Sequence, residues 1–377
     1  MKIVKMAAIA TMALTLFASC KKDEPKKEVS KMTIRIDQSA LRSLDAAIPD
    51  GTTTDFETIK VIVNDGEVIK NLSAAEINEA KGAGHTFIIK SKPLKVVVEA
   101  NGYEADPEIT TIQGVAKVDA TYDPATGEAA QKAIFGKKIP LIGTAEGSPA
   151  ISGPVKVGTD NVYTATVKPI PDVARIEVSG KIVGQKNATS NKNAFKNIDV
   201  EAVYVNNYLV KKGDAKRYLT PSDGNTAFAA APALKAQMND AIEAGMKDSF
   251  EAKKVAAAYQ IFPTKSTETE IDHIILKVKV QYDKDVVKNY RTQEFEEGYV
   301  TIVKYKDDAA ALKGFAAGKI YKLDLATLSE HFKTGDDGKP DTPVTPDPEH
   351  EGNNKLTVKV ETFTWEAVNI TPDGFKK

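Results

Sequence analysis

The sequence has few residues of the kinds that build covalent or metal-bound frameworks. Among its 377 residues there are one cysteine, one tryptophan and four histidines. A single cysteine excludes a disulfide framework and a zinc–thiolate site. The histidines stand in unlike contexts, without a partner at metal-ligand spacing and without a His-Glu-x-x-His run: His85, His273, His331 and His350. The sequence therefore predicts no metal centre of these types.

The chain also lacks the short motifs of common catalytic and nucleotide-binding sites. It contains neither a Gly-x-Ser-x-Gly elbow nor a P-loop. The Gly-Ala-Gly run at 82–84 lacks the third glycine and the strand-to-helix setting of a nucleotide fingerprint. No acidic residue stands out in an apolar setting that would shift its pKa. The sequence thus predicts no catalytic residue, no cofactor and no enzymatic activity, and leaves open whether an acidic loop such as Asp336-Asp337 touches calcium.

An excess of charge of one sign is missing as well. The formal net charge is −1 with the signs interspersed, which argues against a nucleic-acid partner. Arginine is scarce beside lysine, and occurs only as Arg35, Arg42, Arg175, Arg217 and Arg291. An arginine in a polar stretch is therefore more notable here than in an ordinary chain.

The N-terminus has the three zones of a secretory signal peptide. Lys2 and Lys5 give a basic start, and an apolar run of about 13 residues follows, well short of the roughly 20 that a membrane-spanning helix needs. The small pair at 18–19, Ala-Ser, directly precedes Cys20. We predict that residues 1–19 are removed, that Cys20 carries the lipid, palmitate included, and that the chain is exported to the outer membrane. The charged run at 21–28 predicts a flexible tether.

Most of the remaining sequence predicts strands. Alternating or β-branched runs occur at 32–36, 59–63, 94–98, 173–183, 198–205, 271–282 and 299–305. An Asp-Gly turn at 65–66 predicts a hairpin. Few helices are expected: one opened by a capping box of Ser73 and Glu76, one from Pro232 with apolar residues every fourth position to Phe250, and short ones at 308–315 and 326–332. The predicted fold class is mainly β.

The length from Cys20 onward exceeds one ordinary core and suits two domains. Two prolines near 168–171 suggest the boundary, and a stretch of Gly, Asp, Pro, Thr and Asn predicts a solvated linker before one more strand. The predicted plan is a signal peptide at 1–19, a lipidated tether with a first strand at 20–42, an N-terminal domain at 43–170, a C-terminal domain at 171–334, a flexible linker at 335–353 and a terminal strand segment at 354–377.

The terminal strand is unusual because a flexible linker rarely precedes a domain's own last strand. Leu356, Val358 and Val360 share one face, and the apolar positions then shift phase to Phe363 and Trp365, which implies a bulge or burial on both faces. Burying these five side chains yields roughly 8–15 kcal/mol at about 1.5–3 kcal/mol each, against association costs of about 4–15 kcal/mol. The segment either folds back on its own sheet or adds to a neighbouring subunit as a donated strand.

Taken in order, these parts resemble the fimbrillins, the shaft pilins of type V pili. The resemblance spans nearly the whole chain and is most specific at 56–67 (Phe-Glu-Thr-Ile-Lys-Val-Ile-Val-Asn-Asp-Gly-Glu), 173–178 (Val-Ala-Arg-Ile-Glu-Val), 318–325 (Gly-Lys-Ile-Tyr-Lys-Leu-Asp-Leu), and the 341–348 linker with the tail to Trp365. It implies two tandem β-sandwich-like, transthyretin-like domains in a structural subunit of a surface fimbria that supports adhesion.

The resemblance also implies how the chain is processed. In that family the precursor is lipidated, moved to the cell surface and cut by an arginine-specific protease, and the next subunit's C-terminal strand fills the groove that the lost first strand leaves. The matching position here is Arg42, followed by Ser43; Arg35 is the rival, although it lies inside the predicted strand. The implied anchors of the donated strand are Leu356, Val358, Val360, Phe363 and Trp365.

Two other functions stay open at the level of the sequence. An anchor or accessory subunit of the same pilus would retain its lipid, and a surface glycan-binding lipoprotein would need clustered exposed aromatic residues. The expected partners are other copies of the chain, accessory pilins, an arginine-specific surface protease, the outer membrane through the lipid, and a host or bacterial receptor.

Overall fold

The computed structural model describes residues 29–37, 56–101, 115–123, 128–133, 140–209, 217–218, 240–242, 244–253, 257–264, 270–307, 310–346, 348 and 356–364. These parts are mainly β with a few short helices, which confirms the predicted fold class. No helix within these ranges is long and apolar enough to cross a membrane.

In the described residues up to Pro171, the chain forms eleven strands and one α-helix. The strands are β1 (Ser30–Ile36), β2 (Ile59–Val63), β3 (Val68–Leu72), β4 (His85–Ile88), β5 (Lys95–Ala100), β6 (Val115–Asp123), β7 (Glu128–Ala133), β8 (Leu141–Glu146), β9 (Ile151–Val157), β10 (Asp160–Val167) and β11 (Ile170–Pro171), and the helix is α1 (Ala74–Lys81). Nine of these strands form two sheets, in the orders β4-β1-β10-β9 and β11-β8-β5-β2-β3. Residues of both sheets share one buried core, so this body is a β-sandwich.

The described residues from Ala174 onward form fourteen strands and two short α-helices. The strands are β12 (Ala174–Ser179), β13 (Phe195–Asn206), β14 (Tyr208–Leu209), β15 (Arg217–Tyr218), β16 (Asp240–Ala241), β17 (Ala257–Ile261), β18 (His273–Tyr282), β19 (Phe295–Ile302), β20 (Lys304–Asp307), β21 (Ala310–Ala311), β22 (Lys319–Asp324), β23 (Lys333–Thr334), β24 (Pro340–Asp341) and β25 (Thr357–Thr364), and the helices are α2 (Ala244–Glu251) and α3 (Lys284–Val287). One sheet has the order β21-β20-β25-β22-β12-β17-β6-β7 and the other β16-β13-β18-β19. Buried residues of both again share one core.

The two cores divide the chain between β10 and β12. The first core ends with Val167, and the second begins with Ala174. Strands β6 and β7 cross this division. They lie inside the range predicted for the N-terminal domain, yet β6 pairs antiparallel with β17 and extends the eight-stranded sheet. Such long-range pairing leaves no mark in the local sequence pattern.

Local sequence signals fold as predicted at two places near β1. The turn between β2 and β3 holds Asn64, Asp65 and Gly66 at φ values of 47°, 55° and 107°, a conformation that Asn, Asp and Gly tolerate, and β2 and β3 pair antiparallel. Helix α1 opens with the predicted capping box, in which Ser73 and Glu76 exchange side-chain-to-backbone hydrogen bonds.

Of three predicted helices, two differ from the structure, and the short helix predicted at 326–332 is present. Within 308–315 the chain pairs as the β20–β21 hairpin. In the stretch predicted as a helix from Pro232, residues 219–239 lie outside the described ranges, Asp240–Ala241 pairs with β13, and α2 begins only at Ala244. Residues Leu325–His331 form a 3₁₀-helix. Pairing with an available strand overrides helix periodicity in the first two cases.

The segment predicted as a flexible linker is ordered over its first part. Lys333–Thr334 and Pro340–Asp341 form a hairpin whose turn places Gly338 at φ 92°. Farther on, the backbone of Thr345 exchanges hydrogen bonds of 2.8 and 2.9 Å with that of Tyr299 in β19. The prediction of a solvated linker is therefore wrong for 335–346, because β19 is the edge of its sheet and offers unpaired backbone groups that this segment satisfies.

Strand β12 carries a buried ion pair. Arg175 Nε lies 2.6 Å from Glu177 Oε1, and the two side chains are 0% and 5% exposed. Both project from the face of β12 opposite to Ile176 and Val178, which lie in the core. The outer face of the eight-stranded sheet is therefore shielded from water at this strand.

Candidate functional site

Strand β1 is an interior strand of the first sheet. It pairs in parallel with β10 along its seven residues and antiparallel with β4. Met32, Ile34 and Ile36 point into the core and are 0%, 0% and 4% exposed, which stabilises the strand by roughly 5–9 kcal/mol at about 1.5–3 kcal/mol for each side chain. Removing an interior strand would expose the backbone groups of both neighbours and open a groove into the core between β4 and β10.

A row of hydroxyl side chains crosses the outer face of this sheet. Thr33 is directly opposite Thr86 of β4 and Thr164 of β10, and Thr164 is opposite Ser152 of β9. Thr33 Oγ1 lies 2.8 Å from Thr86 Oγ1. A Cβ atom added to Gly84 would come within 2.6 Å of Thr33 Cγ2. The glycine therefore gives the threonine the space that it occupies.

The charged side chains of β1 also have specific neighbours. Lys31 Nζ lies 2.6 Å from Asp160 Oδ2, and both side chains are partly exposed. Arg35 Nε donates a hydrogen bond of 3.1 Å to the carbonyl oxygen of Ala83. These contacts hold the two ends of the strand against opposite walls of the groove, Asp160 belonging to β10 and Ala83 to the loop before β4.

The β4 wall of the groove is fixed to helix α1. His85 Nδ1 lies 2.7 Å from Glu79 Oε2 and its Nε2 lies 3.2 Å from Glu76 Oε1. A hydrogen bond from Lys70, together with the backbone N–H of Ser73, lowers the pKa of the Glu76 carboxyl to about 2. Glu76 therefore stays ionised and joins the helix N-terminus, β3 and β4 at neutral pH.

Strand β25 holds a position in the second body that resembles the position of β1 in the first. It pairs in parallel with β20 and antiparallel with β22, so it too is an interior strand between one parallel and one antiparallel neighbour. Leu356, Val358 and Val360 are buried at 5%, 0% and 1% exposure. The terminal strand thus folds back on its own sheet in this structure, which is one of the two outcomes that the sequence leaves open.

The other predicted site residues are placed only in part. Phe363 lies in β25 with its backbone opposite Ile320 of β22. Cys20, Arg42, Ser43 and Trp365 lie outside the described residues. Between Asp37, just after β1, and Phe56, just before β2, the chain covers the predicted cleavage site without being described.

A polar cleft lies elsewhere, in the second body. Its volume is about 540 Å³, and it lies between residues 185–188, the 3₁₀-helix Leu325–His331 and β23, with no aromatic residue in its lining. The described residues include no group of three or more His, Cys, Asp or Glu side chains that could hold a metal ion. The described residues thus contain two places where a strand near one end of the sequence lies between two others, at β1 and at β25.

Comparison with known proteins finds solved structures that align with this chain over most of their length. No family model matches the chain, and no curated protein matches it. A fimbrilin from Porphyromonas gingivalis W83 is 16% identical, with 91% of this chain and 99% of that chain covered and a TM-score of 0.44. The family that the sequence resembles is thus represented among the structures to which the chain is similar.

Two further structures show the same extent of coverage. A candidate cell adhesion protein from Bacteroides eggerthii DSM 20697 is 14% identical over 90% of this chain and 96% of that chain, with a TM-score of 0.46. The tip fimbrial protein Mfa3 from Porphyromonas gingivalis, truncated at its C-terminus, is 11% identical over 90% and 99%, with a TM-score of 0.32.

Proposed function

We propose that this chain is the shaft subunit of a cell-surface pilus that polymerises by strand replacement. The observation that carries the proposal is the equivalence of β1 and β25: each is an interior strand with one parallel and one antiparallel neighbour, and each buries three apolar side chains on one face. A segment that pairs in parallel with β20 and antiparallel with β22 can pair in the same way with β10 and β4 in place of β1. Its alternating apolar side chains would then face the first core.

Cleavage at Arg42 is the step that empties the groove. As long as the chain between β1 and β2 is uncut, β1 is covalently attached to the body that holds its groove, and it competes for this groove at a high effective concentration. Once Arg42 is cut, residues 20–42 are a separate peptide, and after it dissociates no covalent bond holds it near the groove. The groove between β4 and β10 then becomes available to the C-terminal strand of another copy, and Ser43 becomes the new N-terminus.

Donation requires β25 to leave its own sheet, and the neighbouring strands suit this step. Because β20 is parallel and β22 antiparallel to β25, β20 and β22 are antiparallel to each other. They are also consecutive apart from the short β21 hairpin. Two such strands can pair directly with each other once β25 has left. This pairing limits the free energy that is lost when their hydrogen bonds to β25 break. The strands β4 and β10 are separated by five others along the chain and have no such short connection.

The lipid on Cys20 would then serve transport rather than final anchorage. It would carry the precursor to the outer membrane, and would be discarded with β1 when the protease acts at the cell surface. The partners are other copies of this chain and accessory pilins along the fibre, and a host or bacterial receptor for adhesion. A subunit that keeps Cys20 and its lipid would instead be the anchor of the same pilus.

The experiment that tests this proposal compares two arginine variants. Arg42→Lys keeps the charge and removes the arginine-specific site, whereas Arg35→Lys does the same at the rival position within β1. We expect Arg42→Lys to remain a lipidated monomer and Arg35→Lys to be processed and to polymerise. N-terminal sequencing of the surface protein should start at Ser43. Normal polymer from the Arg42→Lys chain, or a blocked start at Cys20 in the polymer, would refute the scheme.

A further inference from the structure

Two segments of the chain share one pattern of apolar, hydroxyl and charged positions, and one covers β1 while the other runs into β25. Residues 31–37 are Lys-Met-Thr-Ile-Arg-Ile-Asp, and residues 355–361 are Lys-Leu-Thr-Val-Lys-Val-Glu. The lysine and threonine are identical, and each other position keeps its chemical type. Resting on the proposed function, we infer that β25 enters the groove of a second copy in the register that puts residues 355–361 in the places of residues 31–37.

The buried face of the groove discriminates between registers. In the inferred register, Leu356, Val358 and Val360 take the places of Met32, Ile34 and Ile36, which all lie in the core. A shift by two residues in one direction brings a threonine, residue 362, into the core, and a shift in the other direction brings in an asparagine, residue 354. Either shift buries a polar group in an apolar place, which is unfavourable because the group loses its hydrogen bonds to water. A shift by one residue turns the apolar face outward.

The outer face of the groove favours the same register. Thr357 takes the place of Thr33, between Thr86 and Thr164. It restores the hydroxyl row across the sheet, and its branched side chain has the size that Gly84 accommodates. A shift by two residues in either direction would instead place a lysine, at position 355 or 359, between Thr86 and Thr164.

The charges at both ends are matched as well. Lys355 takes the place of Lys31 and comes within reach of Asp160, which is paired with Lys31 at 2.6 Å in the uncleaved chain. Lys359 takes the place of Arg35 and can donate to the carbonyl oxygen of Ala83, as Arg35 does. The donated strand therefore reproduces the polar contacts of β1 as well as its apolar ones.

This register changes the roles of the predicted anchors. Leu356, Val358 and Val360 fill the groove that β1 leaves. Phe363 and Trp365 align with positions 39 and 41, beyond the end of β1 at Ile36. These two aromatic residues therefore extend the contact past the replaced strand and do not occupy places of β1 side chains.

Engineered cysteine pairs test the register. The processed chain that begins at Ser43 lacks the single native cysteine, so two introduced thiols are the only ones present. Directly opposite Cβ atoms in an antiparallel pair lie about 4.5–5.5 Å apart and diagonal neighbours about 7–8 Å apart, whereas a disulfide needs about 3.5–4.5 Å. The test chain carries Thr86→Cys with Thr357→Cys, and the matched controls combine Thr86→Cys with Lys355→Cys or with Lys359→Cys.

Each chain is assembled under reducing conditions, oxidised and then separated on a denaturing gel. We expect the pair with Thr357→Cys to give a ladder of covalent oligomers that reductant collapses to monomers, and the shifted pairs to give monomers. If a pair fails to assemble, Thr164→Cys with Thr357→Cys repeats the test from the β10 wall. In the uncleaved chain from residue 21, Thr33→Cys with Thr86→Cys should close within one chain, which shows that the site accepts a disulfide.

The outcomes separate the register from the proposed function. A ladder from a shifted pair overturns the register and leaves strand exchange standing. Polymer without a covalent product from any pair shows that β25 does not lie beside β4 and β10, and overturns both the register and the exchange. Absence of polymer from the unsubstituted processed chain overturns the proposed function itself, and the register with it.

Discussion

Replacing Ile34 by alanine should loosen β1 in the precursor without changing the polymer. Ile34 is 0% exposed in the first core, and its neighbour across β10 is Ala165, also 0% exposed, which is too small to fill the space. Truncating a buried isoleucine to alanine costs about 2–5 kcal/mol. At about 1.4 kcal/mol per factor of ten, the cleaved β1 peptide should bind its groove about 30- to 4000-fold more weakly.

The assay follows the peptide after cleavage. A precursor labelled with a dye before β1 is cut at Arg42 and diluted until polymerisation is slow, and the release of the labelled peptide is recorded by fluorescence anisotropy. Arg35→Ala is the matched control, because this side chain is exposed and the substitution removes one hydrogen bond, to the carbonyl oxygen of Ala83. Exposed substitutions of this kind change stability by about 0.5 kcal/mol or less, so its release rate should change only about twofold.

The product provides a second readout. Since residue 34 is discarded with the peptide, the processed subunits of the Ile34→Ala and wild-type chains are identical, and their polymers should melt at the same temperature. Only the rate of assembly should differ, with the variant faster. Equal release from Ile34→Ala and wild type would show that β1 is not held by its core face, and a polymer of altered stability would show that residue 34 stays in the fibre.

Three further predictions follow from the same structure. Deleting residues 354–377 should abolish ladders of heat-labile oligomers on a gel, and ladders that persist would show that another segment is donated. Arg175→Ala should lower the free energy of unfolding, measured in urea, by about 3–5 kcal/mol, because it leaves the buried carboxylate of Glu177 without the guanidinium. Replacing Arg175 and Glu177 together by Met should recover most of this loss. An equal loss in the single and the double variant would show that the ion pair is not the cause. The pKa of Glu76 is lowered from 4.5 to about 2, so its ionisation stabilises the fold above pH 4.5, and this contribution is lost as the pH falls toward 2. Glu76→Gln should therefore flatten the plot of unfolding free energy against pH between about pH 4.5 and 2. An unchanged plot would show that Glu76 does not cause this pH dependence.

Local patterns predicted the parts of the fold that depend on near neighbours. The alternation of Met32, Ile34 and Ile36 predicted β1, and the Ser73–Glu76 capping box predicted helix α1. Both signals are complete within a few residues, so no distant partner is needed to interpret them.

The parts that failed depend on partners far away in the sequence. The polar stretch around Thr345 was predicted to be solvated, and it instead follows the edge of β19 because Tyr299 offers free backbone groups there. Residues 308–315 have helical spacing, yet Ala310 and Ala311 return to β20. In each case a sheet edge supplied hydrogen bonds that the local pattern could not show.

The two strands of the candidate site were predicted from the sequence, whereas the residues on the outer face of the groove were not. The first strand and the terminal strand were both identified, but Thr33, Gly84 and Thr86 were not, because a threonine on a polar face resembles any exposed threonine. Comparing the chain with itself would have found Thr33, since residues 31–37 and 355–361 repeat the same pattern of apolar, hydroxyl and charged positions. Gly84 and Thr86 are identified only by the pairing of β1 with β4.

The repetition has a consequence for how assembly is controlled. Two strands with the same apolar, hydroxyl and charged positions have similar intrinsic affinities for one groove, so affinity alone cannot decide which of them occupies it. In the proposed scheme the covalent connection decides instead: before cleavage the effective concentration of β1 excludes the strand of any other copy, and after cleavage β1 is a separate short peptide in competition with a segment that stays attached to a whole subunit. Under this proposal, a groove shaped for either strand stays closed in the precursor and becomes a binding site for the next subunit through the cutting of one peptide bond.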